Sequence, residues 1–148
     1  MTQQDHFAVF TRLINEGFAK GDDSIVDEVV TEDFVEHQFG LEGAGPEAIA
    51  NLKSAIRQVH GMTPDITYTF DDHVVAGDTL WVRMTGHATH SVPVMGQPPT
   101  GRPLTIQVID ISRFEGGRIA EHWGVPDRFA LLAQTGALRR PPQPAPTA

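Results

Sequence analysis

Apolar positions follow helical spacing in the first part of the chain and alternate in the second. Phe7, Phe10, Ile14 and Phe18 recur three and four apart, which predicts one amphipathic helix over 3–20 with Gly21 as its C-cap. Asp22-Asp23-Ser24 then starts a short second helix through Val30. Residues 31–38 read as a turn entering a short strand, and a glycine-rich loop follows. Pro46 opens a third helix in its first turn, where a missing N–H costs nothing. Ile49, Leu52, Ile56 and Val59 form the apolar stripe of that helix. It ends at His60-Gly61, with His60 as an ordinary last-turn cation near the carbonyl end.

From Asp65 the period becomes two. Ile66, Tyr68 and Phe70 alternate with polar residues. After an Ala76-Gly77-Asp78 turn, Leu80, Val82 and Met84 alternate with Trp81, Arg83 and Thr85 as far as about His90. Residues 92–103 are too rich in Pro and Gly for a central strand and read as a long excursion between strands. Residues 104–114 and 118–125 are two further strands joined at Gly116-Gly117. Pro126 ends the last strand, and Asp127 can cap a closing helix. Helices followed by a four-strand meander predict an α+β domain over 1–137. Its curved antiparallel sheet wraps the first helix into a cone with an open mouth, and a proline-rich tail covers 138–148.

Composition narrows the function classes. At 148 residues the chain can bury a core of its own. A formal charge of −8 argues against a nucleic-acid or anionic-membrane surface, since either needs a basic face. The absence of cysteine excludes disulfides, thiolate metal sites and a cysteine nucleophile. No apolar run reaches the roughly 18 residues of a membrane span, and the N-terminus lacks a signal-peptide pattern, so a cytoplasmic location is expected.

The candidate chemistry sits in the last hairpin. Asp110 lies in mid-strand among Val108, Ile109 and Ile111. Such surroundings disfavour a charged carboxylate and suit it to proton abstraction from a bound substrate. His122 is its natural partner, as an oriented imidazole or as a donor to a substrate oxygen. A two-residue Gly-Gly loop pairs Asp110 with Trp123, whereas a bulge brings His122 or Gly124 opposite, and the register stays open at this point. His37 and His90 lie near strand ends and could reach the mouth of a cavity; His37 is a third catalytic candidate. Trp81 and Trp123 read as core or subunit-interface residues. Phe18, Met84, His90, Val108, Trp123 and Asp127 are candidate substrate contacts, Asp127 also being a helix cap. His87 and His90, three apart in a strand, face opposite sides and make no paired metal site, and no GxSxG, P-loop or GxGxxG is present.

The run PPTGR, the strand with a mid-strand acid, and then RFEGGRI, EHW and PDRFALLAQTG resemble the SnoaL-like branch of the nuclear transport factor two-like superfamily. The resemblance covers the chain from the first helix to about Gly136. It implies a cone-shaped α+β barrel with a deep pocket, frequent homodimers or tetramers, and cofactor-free chemistry on small hydrophobic carbonyl compounds: cyclisation by aldol condensation, isomerisation or elimination. In the cyclases a histidine on the penultimate strand faces a catalytic aspartate on the last. Aligned through TGR, the glycine turn and the PD step, the histidine position falls on Asp110 and the aspartate position on Gly124. The resemblance therefore implies that Asp110, His122 and Gly124 share the pocket face, with either the base moved to Asp110 or a different reaction. A non-catalytic binder of a hydrophobic ligand is the alternative it leaves.

Overall fold

A computed structural model describes residues 3–138; the tail expected over 138–148 lies outside the described residues from 139 onward. Helix α1 (Gln3–Arg12) runs without a break into a π-helical segment (Leu13–Ala19), where a regular α-helix was expected. A π turn takes in one extra residue and rotates the apolar stripe. Phe10, Leu13, Ile14 and Gly17 are buried, and Phe18 packs at the margin of the core. The tight packing at Gly17 has a steric cause: a Cβ there would sit 3.1 Å from Ile56 Cδ1 and 3.2 Å from Ile25 Cγ2. Gly21 ends the segment with φ +79°, and the ring of His60 lies against it at 2.7 Å from where a Cβ would be.

Helix α2 (Ile25–Val29) passes directly into β1 (Val30–Glu36), so the turn expected after Val30 is absent. A two-residue strand that the sequence did not announce, β2 (Gly43–Ala44), pairs with the end of β1. Pro46 takes the first turn of α3 (Pro46–Met62), as its missing N–H favours. Then come β3 (Thr67–Ala76), β4 (Thr79–Thr89), β5 (Pro103–Glu115), β6 (Arg118–Pro126) and α4 (Arg128–Gln134). Asp127 caps α4, its carboxylate accepting from the Ala130 N–H at 2.9 Å. Among the described residues no helix is long and apolar enough to cross a membrane.

The six strands form one curved, unclosed sheet in the order β2-β1-β6-β5-β4-β3. Adjacent strands are antiparallel except β1 and β6, which run parallel and bring the first long strand beside the last. Alternation assigns the faces. Leu80, Val82 and Met84 of β4, with Leu104, Val108, Asp110, Ser112 and Phe114 of β5, point to the concave side, where the helices and the sheet share the core. Trp81, Ile109, Trp123 and Val125 point outward.

The Gly116-Gly117 hairpin carries the bulged register. Glu115 pairs with Arg118, as a two-residue loop requires, but the ladder slips by one at Arg113. Beyond that point Asp110 faces Gly124, and Ser112 faces His122. Ile119 and Ala120 are consecutive and both buried, which a regular strand does not permit and a bulge does.

Candidate active site

The concave face and its helical lid enclose a cavity of about 560 Å³, a volume suited to a small organic molecule. Its walls are mostly apolar: Phe10, Leu13, Phe34, Leu52, Met84 and Ile106 among others. Gly86, in mid-β4, keeps the space open. A Cβ there would press on Ile106 Cγ2 at 3.0 Å and on the Tyr68 ring at 3.2 Å.

Three ionisable side chains converge in this apolar setting. His122 places Nδ1 2.9 Å from both carboxylate oxygens of Glu36 and Nε2 3.3 Å from Asp110 Oδ1. The Glu36 side chain is wholly buried and that of Asp110 nearly so. The parallel β1–β6 register pairs Glu36 directly with His122, and β5 supplies Asp110 one step along on the same face. The Gln38 N–H also donates to Glu36 Oε1 at 2.8 Å. Burial alone would lower the pKa of His122, but the charge of Asp110 beside it, then Glu36, outweighs that and pushes it up to about 10. The imidazolium is therefore the neutral-pH form, with Nδ1–H donated to Glu36. An unpaired buried carboxylate would cost several kcal/mol, so the shared cation is what makes two buried acids tolerable.

Asp110 keeps a free valence. Its contact with His122 is a charge pair without hydrogen-bond geometry, and Oδ1 has no hydrogen-bond partner among the described residues. Ser112 Oγ, opposite His122, is likewise buried and unpartnered. Tyr68 lines the same cavity, and burial, then the Asp110 charge, raises its pKa, so the phenol stays protonated. Gly124 lies beside this group without a side chain. A Cβ there would overlap Gln38 Oε1 and come within 2.7 Å of Asp110 Oδ1 and 2.9 Å of His122 Cε1. The Gln38 carboxamide thus fills the space that a larger residue 124 would take.

The sequence-derived site residues divide between the two faces of the sheet. Asp110, His122, Phe18, Met84 and Val108 line the cavity. His37 does not: alternation sends Glu36 inward and its neighbour outward, where His37 Nε2 meets Glu121 Oε1 at 2.8 Å. Its ring stacks on Trp123 at 4.7 Å, and the bulged register puts Trp123 on that outer face too. His90 is fully buried but outside the cavity. It holds the 92–103 excursion together through Thr100 Oγ1 at 3.0 Å and the Gln97 carbonyl at 3.3 Å. Asp127 is exposed and occupied as the α4 cap. Glu36, Gln38 and Tyr68 escaped the sequence reading. The signal for Glu36 was present, because period two from the apolar Phe34 turns Glu36 inward.

The family model for the SnoaL-like polyketide cyclase matches residues 8–135, which is most of the chain. The chain belongs to the SnoaL-like polyketide cyclase family. Solved structures place this SnoaL-like chain among relatives of the same architecture. IdmH from Streptomyces antibioticus, a candidate polyketide cyclase, is 33% identical, with 88% of this chain and 98% of IdmH covered and a TM-score of 0.76. TsrD from Streptomyces laurentii is 28% identical over 93% of this chain and 99% of TsrD, with a TM-score of 0.79. A protein from Catenulispora acidiphila with a ketosteroid isomerase-like fold, 14% identical with a TM-score of 0.67 over 86% of this chain and 92% of its own, shares the fold alone. No curated protein matches the sequence significantly.

Proposed function

We propose that this SnoaL-like protein is an enzyme that removes a proton next to the carbonyl of a small hydrophobic compound. The observation that carries the reading is a carboxylate lining an apolar cavity, ion-paired to the His122 imidazolium but with no hydrogen bond on its Oδ1. Asp110 takes the proton, and the His122 Nε2–H turns from Asp110 to the developing enolate oxygen, a charge it is placed to stabilise. Glu36 is a positioning residue that fixes the imidazole through Nδ1. Tyr68 supplies a second donor, a neutral one, in the same space. Cyclisation, isomerisation and elimination all begin with this step, and the side chains present suffice for it without a cofactor.

The test is deuterium exchange. With 2-tetralone, a neutral bicyclic ketone with an acidic C–H, the protein in D2O should accelerate label uptake, followed by mass spectrometry, in a saturable manner. Uptake at the buffer rate, with the ketone demonstrably bound, favours the second reading, a hydrophobic-ligand binder. That alternative draws on Gly124, which leaves the position of the family's catalytic aspartate without a side chain.

The outer face of the sheet supports a homodimer. Trp81 pairs with Ile111 and Ile111 with Trp123, while Val74, Ile109 and Val125 extend the same apolar surface, which is largely exposed in a single copy. Arg83 with Asp71 and Arg113 with Glu121 provide charge pairs around it. A second copy docking sheet to sheet would bury this surface. Trp81→Glu should convert the dimer to monomer in sedimentation equilibrium with little loss of secondary structure. A wild-type monomer at tens of micromolar would remove the proposal.

A further inference from the structure

Among the described residues, Arg128 is the cation lining the cavity that has no acidic partner. The other charged residues there are Glu36, Asp110 and His122, which are ion-paired with one another. Arg128 stands in the first turn of α4, half-buried, and its guanidinium makes one hydrogen bond, Nη1–H to the Phe39 carbonyl at 3.3 Å. Phe39 is 80% exposed, so this contact marks the rim of the cavity. Arg12, Arg57, Arg83 and Arg113 are engaged by acids, and Arg102 and Arg118 do not line the cavity.

The guanidinium reaches back to Phe39, the residue after Gln38, whose own N–H donates to buried Glu36. The inner end of the cavity therefore holds the acid–imidazole group and the rim holds a planar cation, and most of the remaining lining is apolar.

We infer that Arg128 selects ligands with an anionic group, a carboxylate above all, at the end remote from the reacting carbonyl. The occupant is thus an acid with an apolar body. The carboxylate meets the guanidinium fork at the mouth, replacing the Phe39 carbonyl, and the body runs inward toward Asp110. This deepens the function proposed above and rests on the cavity being the ligand site, though not on catalysis.

The experiment uses the full chain at pH 8 with N-phenyl-1-naphthylamine as a neutral fluorescent occupant of the cavity, displaced by decanoate or by decanamide, which differ in charge and little in shape. Decanoate should displace it about tenfold better, the scale of a charge-assisted contact at a partly exposed site. In Arg128→Gln that preference should vanish while decanamide binds as before, and Arg128→Lys should keep part of it. Equal displacement by the two competitors in the wild type overturns the assignment, as does a preference that persists in Arg128→Gln. Should Arg128→Gln melt early, a Lys variant that discriminates as poorly as a neutral residue would also count against it. If neither the probe nor decanamide binds at all, the ligand-site reading fails along with this one, which separates the two failures.

Discussion

Asp110→Asn should lower the rate of proton abstraction about a hundred- to ten-thousandfold, the usual contribution of a positioned general base. Asparagine keeps the shape of the side chain but has no basic oxygen. The fold should survive with some loss of stability: Asp110 Oδ1 holds no hydrogen bond whose loss would leave a partner stranded, but its ion pair with His122 is lost. Neutralising one of two buried acids also relieves repulsion between them. Exchange of the 2-tetralone C–H in D2O, read beside a thermal melt of the same variant, gives both numbers. A variant that exchanges label as fast as the wild type would remove Asp110 from the mechanism. The His122 imidazolium should titrate lower in this variant, since the charge of Asp110 is the main influence holding its proton.

Glu36→Gln should act through His122 rather than on the substrate. The amide preserves one acceptor for Nδ1–H but withdraws a negative charge that favours the imidazolium, so the His122 pKa falls from about 10. The alkaline limb of the exchange rate should move to lower pH, by an amount that a merely structural residue would not produce. Stability follows the same linkage. The pKa of His122 is raised on folding above its ordinary 6.5, so its contribution is full below that pH and disappears as pH climbs through about 10. In Glu36→Gln that decline should begin earlier, on top of a loss of up to about 3 kcal/mol from breaking a buried ion pair. Chemical denaturation across pH 6–10, with histidine NMR titration, checks both statements. An unmoved His122 titration would show that Glu36 does not govern the proton.

The alternation of apolar residues was enough to place four long strands, the hairpin turn and the closing helix, because each rests on local chemistry: period two, Gly116-Gly117, Pro126 and the Asp127 cap. The departures have long-range causes. The π-helical stretch lies where Gly17 packs against Ile25 and Ile56, residues whose proximity only the tertiary fold creates. The one-residue slip between β5 and β6 is a packing decision: it buries Ile119 and Ala120 together and sets Asp110 against Gly124. Asp110 and His122 were readable as candidates because an acid among apolar neighbours is conspicuous. Glu36 was hidden beside His37, which has the more suggestive chemistry and the wrong face. Its partnership with His122 depends on a parallel pairing between strands 86 residues apart, for which no local signal exists.

That pairing bears on how the molecule is made. On the ribosome, Glu36 emerges long before His122, so the early helices and β1 cannot settle into their final packing without stranding an acid in the hydrophobic interior. The N-terminal part must stay loosely organised until the last hairpin arrives, and this late, distant closure makes assembly slow relative to the locally formed meander. Chains cut short before β6 should accordingly be handled by the cell as unfinished, and substitutions at His122 should be felt first in the yield of folded protein.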